Sequence, residues 1–278
     1  MREVAMRGMP VGRLLVATLA FCWSYSEAYA WGDKGHQAIC EIAFKLVRQD
    51  TRAEIERLIA LDTRFKSFPD SCTFPDNPRI RAPEHFVNLA RDAGGFLADE
   101  CPKADVCVLS AIRSDTQILS STSEDDSKRL IALKSLGHWV GDVHQPLHVS
   151  FEDDRGGNKI VSSGECKNLH AVWDNCLVLY SIGPDWADAA DELIQAMTPE
   201  EKSQWLSSTP KNWATESFAI ARALSTGYCV MSGPSCDPPK ASVTISEEYL
   251  ATNEPVVKKQ LLKAGVRLAQ LLDLALGR

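Results

Sequence analysis

The chain has 278 residues, with 30 lysines and arginines against 37 aspartates and glutamates, for a formal net charge of −7. That length can bury a substantial core in one domain or two. A composition of 45% hydrophobic and 24% charged residues is ordinary for a soluble globular protein, and the acidic balance excludes binding of duplex backbones by charge alone. A polyanionic partner would need positive charge from another source, and bound metal ions can supply it.

In chain order, residues 1–30 read as an export signal. Arg2, Arg7 and Arg13 make a basic start, residues 14–22 a short apolar run, and Ala28-Tyr29-Ala30 the small-x-small pattern of a cleavage site. The run is too short for a bilayer, which needs about twenty residues. The mature domain is therefore expected to span 31–278 and to be secreted or periplasmic. Cysteine usage agrees with export. One of nine cysteines, Cys22, lies in the signal; Cys40, Cys72, Cys101, Cys107, Cys166, Cys176, Cys229 and Cys236 remain, an even set that suits up to four disulfides. Cys101 with Cys107, Cys166 with Cys176 and Cys229 with Cys236 would close short loops, leaving Cys40 for Cys72, although spacing does not prove this connectivity.

Apolar periodicity predicts a helix over 35–48, with Ile39, Ile42, Ala43, Leu46 and Val47 on one face, and further helices over 51–61, 104–121 and 125–145. The last should stop at Pro146. Residues 168–181 carry Leu169, Val172, Trp173, Leu177 and Tyr180 at helical spacing. Thr198-Pro199-Glu200-Glu201 is a capping box with proline in the first turn. Thr252-Asn253-Glu254-Pro255 is expected to open a long final helix with a leucine stripe from Leu261 to Leu276. Strand-like pieces are confined to 159–162 and 241–245, and 62–103 and 149–167 read as long loops where function should be sought. With no repeat and no linker, the expected fold is all-α: a single-domain helical bundle with long loops.

The six histidines are His36, His85, His138, His144, His148 and His170. His138 and Asp142 are four apart on one helix face, and Pro146 should turn His148 back toward them. His170 and Asp174 repeat the spacing. A lone histidine on an apolar face is commonly a satisfied core residue. Two such pairs among apolar neighbours, Trp139 and Trp173 included, imply aspartates aimed inward, and a buried carboxylate calls for a cation. Imidazole with carboxylate suits zinc.

These residues resemble a known family. Trp31-Gly-Asp-Lys-Gly-His36, the run His138 to His148, Gly156-Gly157-Asn158 and His170 to Asp174 together are similar to the zinc-dependent, single-strand-specific nucleases of moulds and plants, the S1/P1 nuclease family, related in fold to bacterial phospholipase C. The resemblance implies a cleft with three zinc ions. One would be held by Asp76, His85, His138 and Asp142, a second by His148, His170 and Asp174, and a third by His36, Asp142 and the α-amine and carbonyl of Trp31. An α-amine ligates only when free and deprotonated, so cleavage after Ala30 would create a ligand. His144 is left over as a supporting residue.

The resemblance further implies in-line hydrolysis without a protein nucleophile, giving 5′-phosphate products. Asp76 would orient the attacking water and Arg79 offset charge on the phosphoryl oxygens. Phe86 would stack on a base whose edge Asn88 reads, with Gly157 and Asn158 as further nucleotide contacts. Asn88 stands where family members often carry Asp, so base preference can differ. The expected partners are single-stranded DNA, RNA and nucleotides, with no membrane and a monomeric chain; 3′-nucleotidase activity is a further expectation. The alternative is a zinc phospholipase C, against which stand Gly156-Gly157-Asn158 and Asp174, where those enzymes have Glu. A non-catalytic zinc-binding protein would explain the histidines but neither Arg79 nor the Phe86-x-Asn88 pair.

Overall fold

The computed structural model describes residues 31–96 and 100–277; the expected signal segment lies outside them. The helices are α1 (Asp33–Leu46), α2 (Gln49–Ile59), α3 (Phe68–Ser71), α4 (Val108–Ser120), α5 (Asp126–His144), α6 (Leu169–Ala171), α7 (Leu177–Ile182), α8 (Trp186–Ala196), α9 (Pro199–Leu206), α10 (Pro210–Ala221) and α11 (Glu247–Leu276). Two small sheets complete the fold: a parallel pair β1 (Val87–Leu89) with β2 (Val149–Phe151), and an antiparallel pair β3 (Val230–Ser232) with β4 (Ser235–Asp237). They leave one helical core, as the sequence predicts.

The centre is α5. Every residue from Ala132 to His144 is buried, as suits a helix with neighbours on all sides; α4, α1, α10 and α11 pack around it. Its start is capped by Asp125, whose carboxylate accepts the Lys128 N–H at 3.0 Å. Its end is set by Pro146, as predicted. Gln145 extends the chain there and its side chain takes the Leu147 N–H at 2.5 Å. Gly141 lets α1 come close, because a Cβ at that position would stand 2.7 Å from His36 Nδ1.

Three expectations need correction. The final helix begins at Glu247, five residues before Thr252-Asn253-Glu254-Pro255, with Ser246 accepting the Tyr249 N–H at 3.1 Å. Pro255 is tolerated inside it because it lies on the exposed face, where the carbonyl it leaves unpaired, on exposed Ala251, meets water. The helix expected over 168–181 is interrupted: α6 runs through a π-helical turn, Val172–Cys176, into α7. The pieces near 159–162 and 241–245 form only isolated bridges, one of which joins them at Ser162 and Val243; the true strands β1 and β2 lie inside the expected loops 62–103 and 149–167. Helices α8 and α10 were not singled out, although Thr209 and Asn212 form a capping box around Pro210 much as Thr198 and Glu201 do around Pro199.

All four suggested disulfides are formed: Cys40–Cys72, Cys101–Cys107, Cys166–Cys176 and Cys229–Cys236. The first ties α1 to the loop after α3. Among the described residues no helix is long and apolar enough to cross a membrane.

Candidate metal centre

Seven segments deliver the polar side chains to one buried point. His36 comes from α1, Asp76 from the loop after α3, and His85 from the 3-10 turn Ala82–His85. His138 and Asp142 come from α5, His148 from the 3-10 turn Pro146–His148, and His170 and Asp174 from α6 and the π-helical turn. Three groups have ligand atoms within 4.8 Å of one another: His36, His138 and Asp142; Asp76, His85 and His138; His148, His170 and Asp174. Asp142 is the hub, 3.5 Å from His36, 3.2 Å from His85, 3.4 Å from His138 and 3.8 Å from His148.

The backbone holds four of the rings in one protonation form. His85 Nε2 donates to the Ile80 carbonyl at 2.9 Å and His138 Nδ1 to that of Cys72 at 2.8 Å. His148 Nδ1 donates to the carbonyl of His85 at 2.5 Å, and His170 Nδ1 to that of Gly156 at 2.6 Å. In each ring the other nitrogen is left with a lone pair aimed at the cluster, the arrangement of metal-bound imidazoles. Burial keeps the rings neutral. It presses His85 and His170 down to about 4, and His138 and His148 well below the ordinary imidazole range. Burial also raises the Asp76 carboxyl to about 7 and pushes Asp142 and Asp174 well above the usual carboxylate range.

Both oxygens of Asp142, Oδ1 of Asp76, Oδ2 of Asp174 and Nε2 of His148 are buried without a hydrogen-bond partner. Orphaned acceptors in one spot are costly unless a cation satisfies them. Their mixed nitrogen and oxygen chemistry fits zinc. Trp31 is fully buried beside this site, and the N–H of Gly32 reaches the Asp174 carbonyl at 2.6 Å.

A cleft of about 660 Å³ opens over the cluster, lined by His148 and His170 and by Arg79, Phe86, Asn88 and Asn158. Gly156 lines it as well, whereas Gly157 sits beneath and gives its N–H to Asp154 at 2.9 Å. His144 faces away, with Nδ1 on the Val140 carbonyl and Nε2 on Arg267.

Several contributors escaped the sequence reading. Gln145 donates to Asp174 at 2.5 Å; its place inside the run His138 to His148 was the available signal. Buried Asp115 takes the Trp139 indole N–H at 2.6 Å and Arg81 at 2.7 Å, bracing the turn that carries His85. Asp154 accepts from Tyr228 at 2.8 Å and Arg91 at 2.6 Å, anchoring the loop whose Gly156 carbonyl orients His170. Neither aspartate has a local sequence signal.

Comparison with known proteins gives a consistent result. The family model described as S1/P1 nuclease matches residues 31–277. Endonuclease 5 of Arabidopsis thaliana is 29% identical, over 93% of this chain and 95% of its own length. Nuclease S1 of Aspergillus oryzae is 28% identical over 94% and 97%, and nuclease P1 of Penicillium citrinum 24% identical over 87% and 97%.

Proposed function

The chain belongs to the S1/P1 nuclease family, and on that footing we propose that it hydrolyses phosphodiester bonds in single-stranded DNA and RNA with three zinc ions, leaving 5′-phosphates. It is a nuclease, and nucleic acid is its substrate. The observation that carries the zinc reading is the convergence of three His/Asp groups on one buried point beneath an open cleft. One ion would rest on Asp76, His85, His138 and Asp142, one on His148, His170 and Asp174, and one on His36, Asp142 and the main chain of Trp31. The last assignment requires removal of residues 1–30, leaving 31–278 as the secreted or periplasmic domain. The four disulfides suit such an oxidising compartment.

Bound zinc supplies Lewis acidity that activates water and offsets phosphoryl charge. The remaining tasks fall to this chain's own side chains. Asp76 Oδ1, buried and without a hydrogen-bond partner, orients the attacking water. Arg79 faces the cleft and balances charge on the phosphoryl oxygens. Phe86 stacks a base that has left its neighbours, and Asn88 and Asn158 take polar edges of the nucleotide. A paired base cannot enter such a cleft, which accounts for single-strand preference. A phospholipase C reading is not favoured, because the relatives bear nuclease names.

The deciding experiment takes the protein starting at Trp31, measures its metal content, and assays single-stranded DNA, RNA, duplex and phosphatidylcholine side by side. About three zincs per chain and cleavage of single strands, lost on chelation and restored by zinc, are expected. Hydrolysis of phosphatidylcholine alone, or nucleolysis indifferent to chelation, would overturn the reading.

A further inference from the structure

Three hollows run together beside the metal cluster. The cleft is bounded on one side by Phe86, Asn88 and Glu152, and the same residues line a smaller hollow of about 120 Å³. The opposite wall of that hollow is the loop closed by the Cys101–Cys107 disulfide, with Lys103 on it. A third hollow, about 560 Å³, shares Lys159 with the cleft, Lys103 with the small hollow, and Glu152 with both. All three therefore meet at Glu152, one residue beyond β2.

Charge along this path departs from the acidic whole. Lys103, Arg155 and Lys159 are exposed along it. The side chains of Lys103 and Arg155 have no hydrogen bond or ion pair among the described residues, and Lys159 Nζ meets only the Asp153 carbonyl, at 2.7 Å. Arg91, in the same third hollow, is by contrast consumed by Asp153, Asp154 and the Cys236 carbonyl. Arg155 is also held at φ 55°, in the left-handed region that non-glycine residues avoid. The loop fastened by Asp154 imposes this conformation, and such strain is characteristic of positions kept for function.

We propose that this path is a second nucleotide subsite, one that holds the neighbour of the Phe86-stacked nucleotide on the side away from the bond that is cut. The small hollow takes one planar base between Phe86 and the Cys101–Cys107 loop. Lys103 and Lys159 flank its phosphate in the adjoining hollow, and Arg155 faces the phosphate nearer the cluster. Glu152, acceptor-only when ionised, repels phosphate from the junction and receives a base N–H, so the strand enters base-first at that point. The inference rests on the nuclease reading and deepens it. The enzyme recognises oligonucleotides; a dinucleotide, with its single bond at the cluster and one base on Phe86, has no nucleotide left for this subsite.

Lys103 decides the matter, because it lies outside the cleft on an exposed, disulfide-closed loop. Zinc-loaded wild type, Lys103→Ala and Lys103→Glu are compared on a dinucleotide and on a single-stranded dodecamer across a salt series. The dodecamer KM is expected to rise, by about tenfold for Lys103→Glu, with kcat unchanged and the dinucleotide constants unmoved. The salt dependence of log KM should flatten by about 0.7 for Lys103→Ala, the amount for one lost single-strand phosphate contact. An equal change on both substrates, or none on the dodecamer, would overturn the subsite. If wild type cuts neither substrate, the nuclease reading has failed; fluorescence anisotropy of a labelled dodecamer on wild type and Lys103→Glu still decides whether Lys103 contacts a strand.

Discussion

His138 and His144 stand six residues apart on the same helix, both fully buried, in opposite surroundings. His138 puts Nδ1 on the Cys72 carbonyl and turns Nε2 toward Asp76 at 3.6 Å and Asp142 at 3.4 Å. His144 puts Nδ1 on the Val140 carbonyl and receives the Arg267 guanidinium on Nε2 at 2.9 Å. Arg267 is in turn paired with Glu216 at 2.8 Å, and Gln260 donates to the His144 carbonyl at 2.8 Å. The second region is complete, with every lone pair of the ring met by a donor. In the first, both oxygens of Asp142 and Oδ1 of Asp76 are buried without a hydrogen-bond partner, a deficit that bound cations would meet. A buried imidazole is thus a structural bolt or a ligand according to what meets its second nitrogen.

The sharpest test of this contrast is Asp142→Asn. Removing the hub carboxylate should cut nucleolysis by about 10³-fold, several kcal/mol of barrier, and lower the zinc content measured by atomic absorption. In chelated protein the same substitution should raise the melting temperature, since the buried carboxylate no longer lacks a counter-ion. A lower melting temperature there would show that the cluster is self-satisfied and erase the contrast.

Arg267→Met acts on the other region. It should cost about 3 kcal/mol in denaturant unfolding, the low end for a broken buried pair because Glu216 keeps contact with water. Zinc content and specific activity of the folded fraction should be unchanged. Loss of zinc would mean that the two ends of α5 are not independent.

Gly141→Ala tests the approach of α1, with an added methyl 2.7 Å from His36 Nδ1. A stability loss of about 2 kcal/mol is expected, together with loss of the zinc that depends on His36 while the His148 and His170 site stays filled. Equal loss from all sites in a zinc titration would contradict this. The smallest effect is Asp154→Asn, which loosens the loop that orients His170 through Gly156. Zinc affinity should fall about tenfold, read by competition with a chromophoric chelator, with kcat at saturating zinc close to wild type.

Much of the site was legible because chain-local rules create it. The spacing His138 to Asp142 and His170 to Asp174 survives as 3.4 and 3.2 Å contacts, the second across a π-helical turn that periodicity could not show. Asp76 and His85 lay in an expected loop. Only the resemblance to a family assigned them, since no local pattern brings a loop residue to a helix some sixty positions away.

What the amino-acid order determined alone was what neighbours three or four apart decide: most helices, the stop at Pro146, the capping box at Thr198, and the facing of each His/Asp pair. The tertiary structure decided the rest. It started α11 at Ser246 rather than Thr252, placed Pro255 toward water, paired β1 with β2, and gave the second nitrogen of His144 to Arg267 while setting His138 Nδ1 on the Cys72 carbonyl. The reason is physical: periodicity and capping act within a few turns, whereas the partner of a buried nitrogen or carboxylate is fixed by which distant helix packs against it.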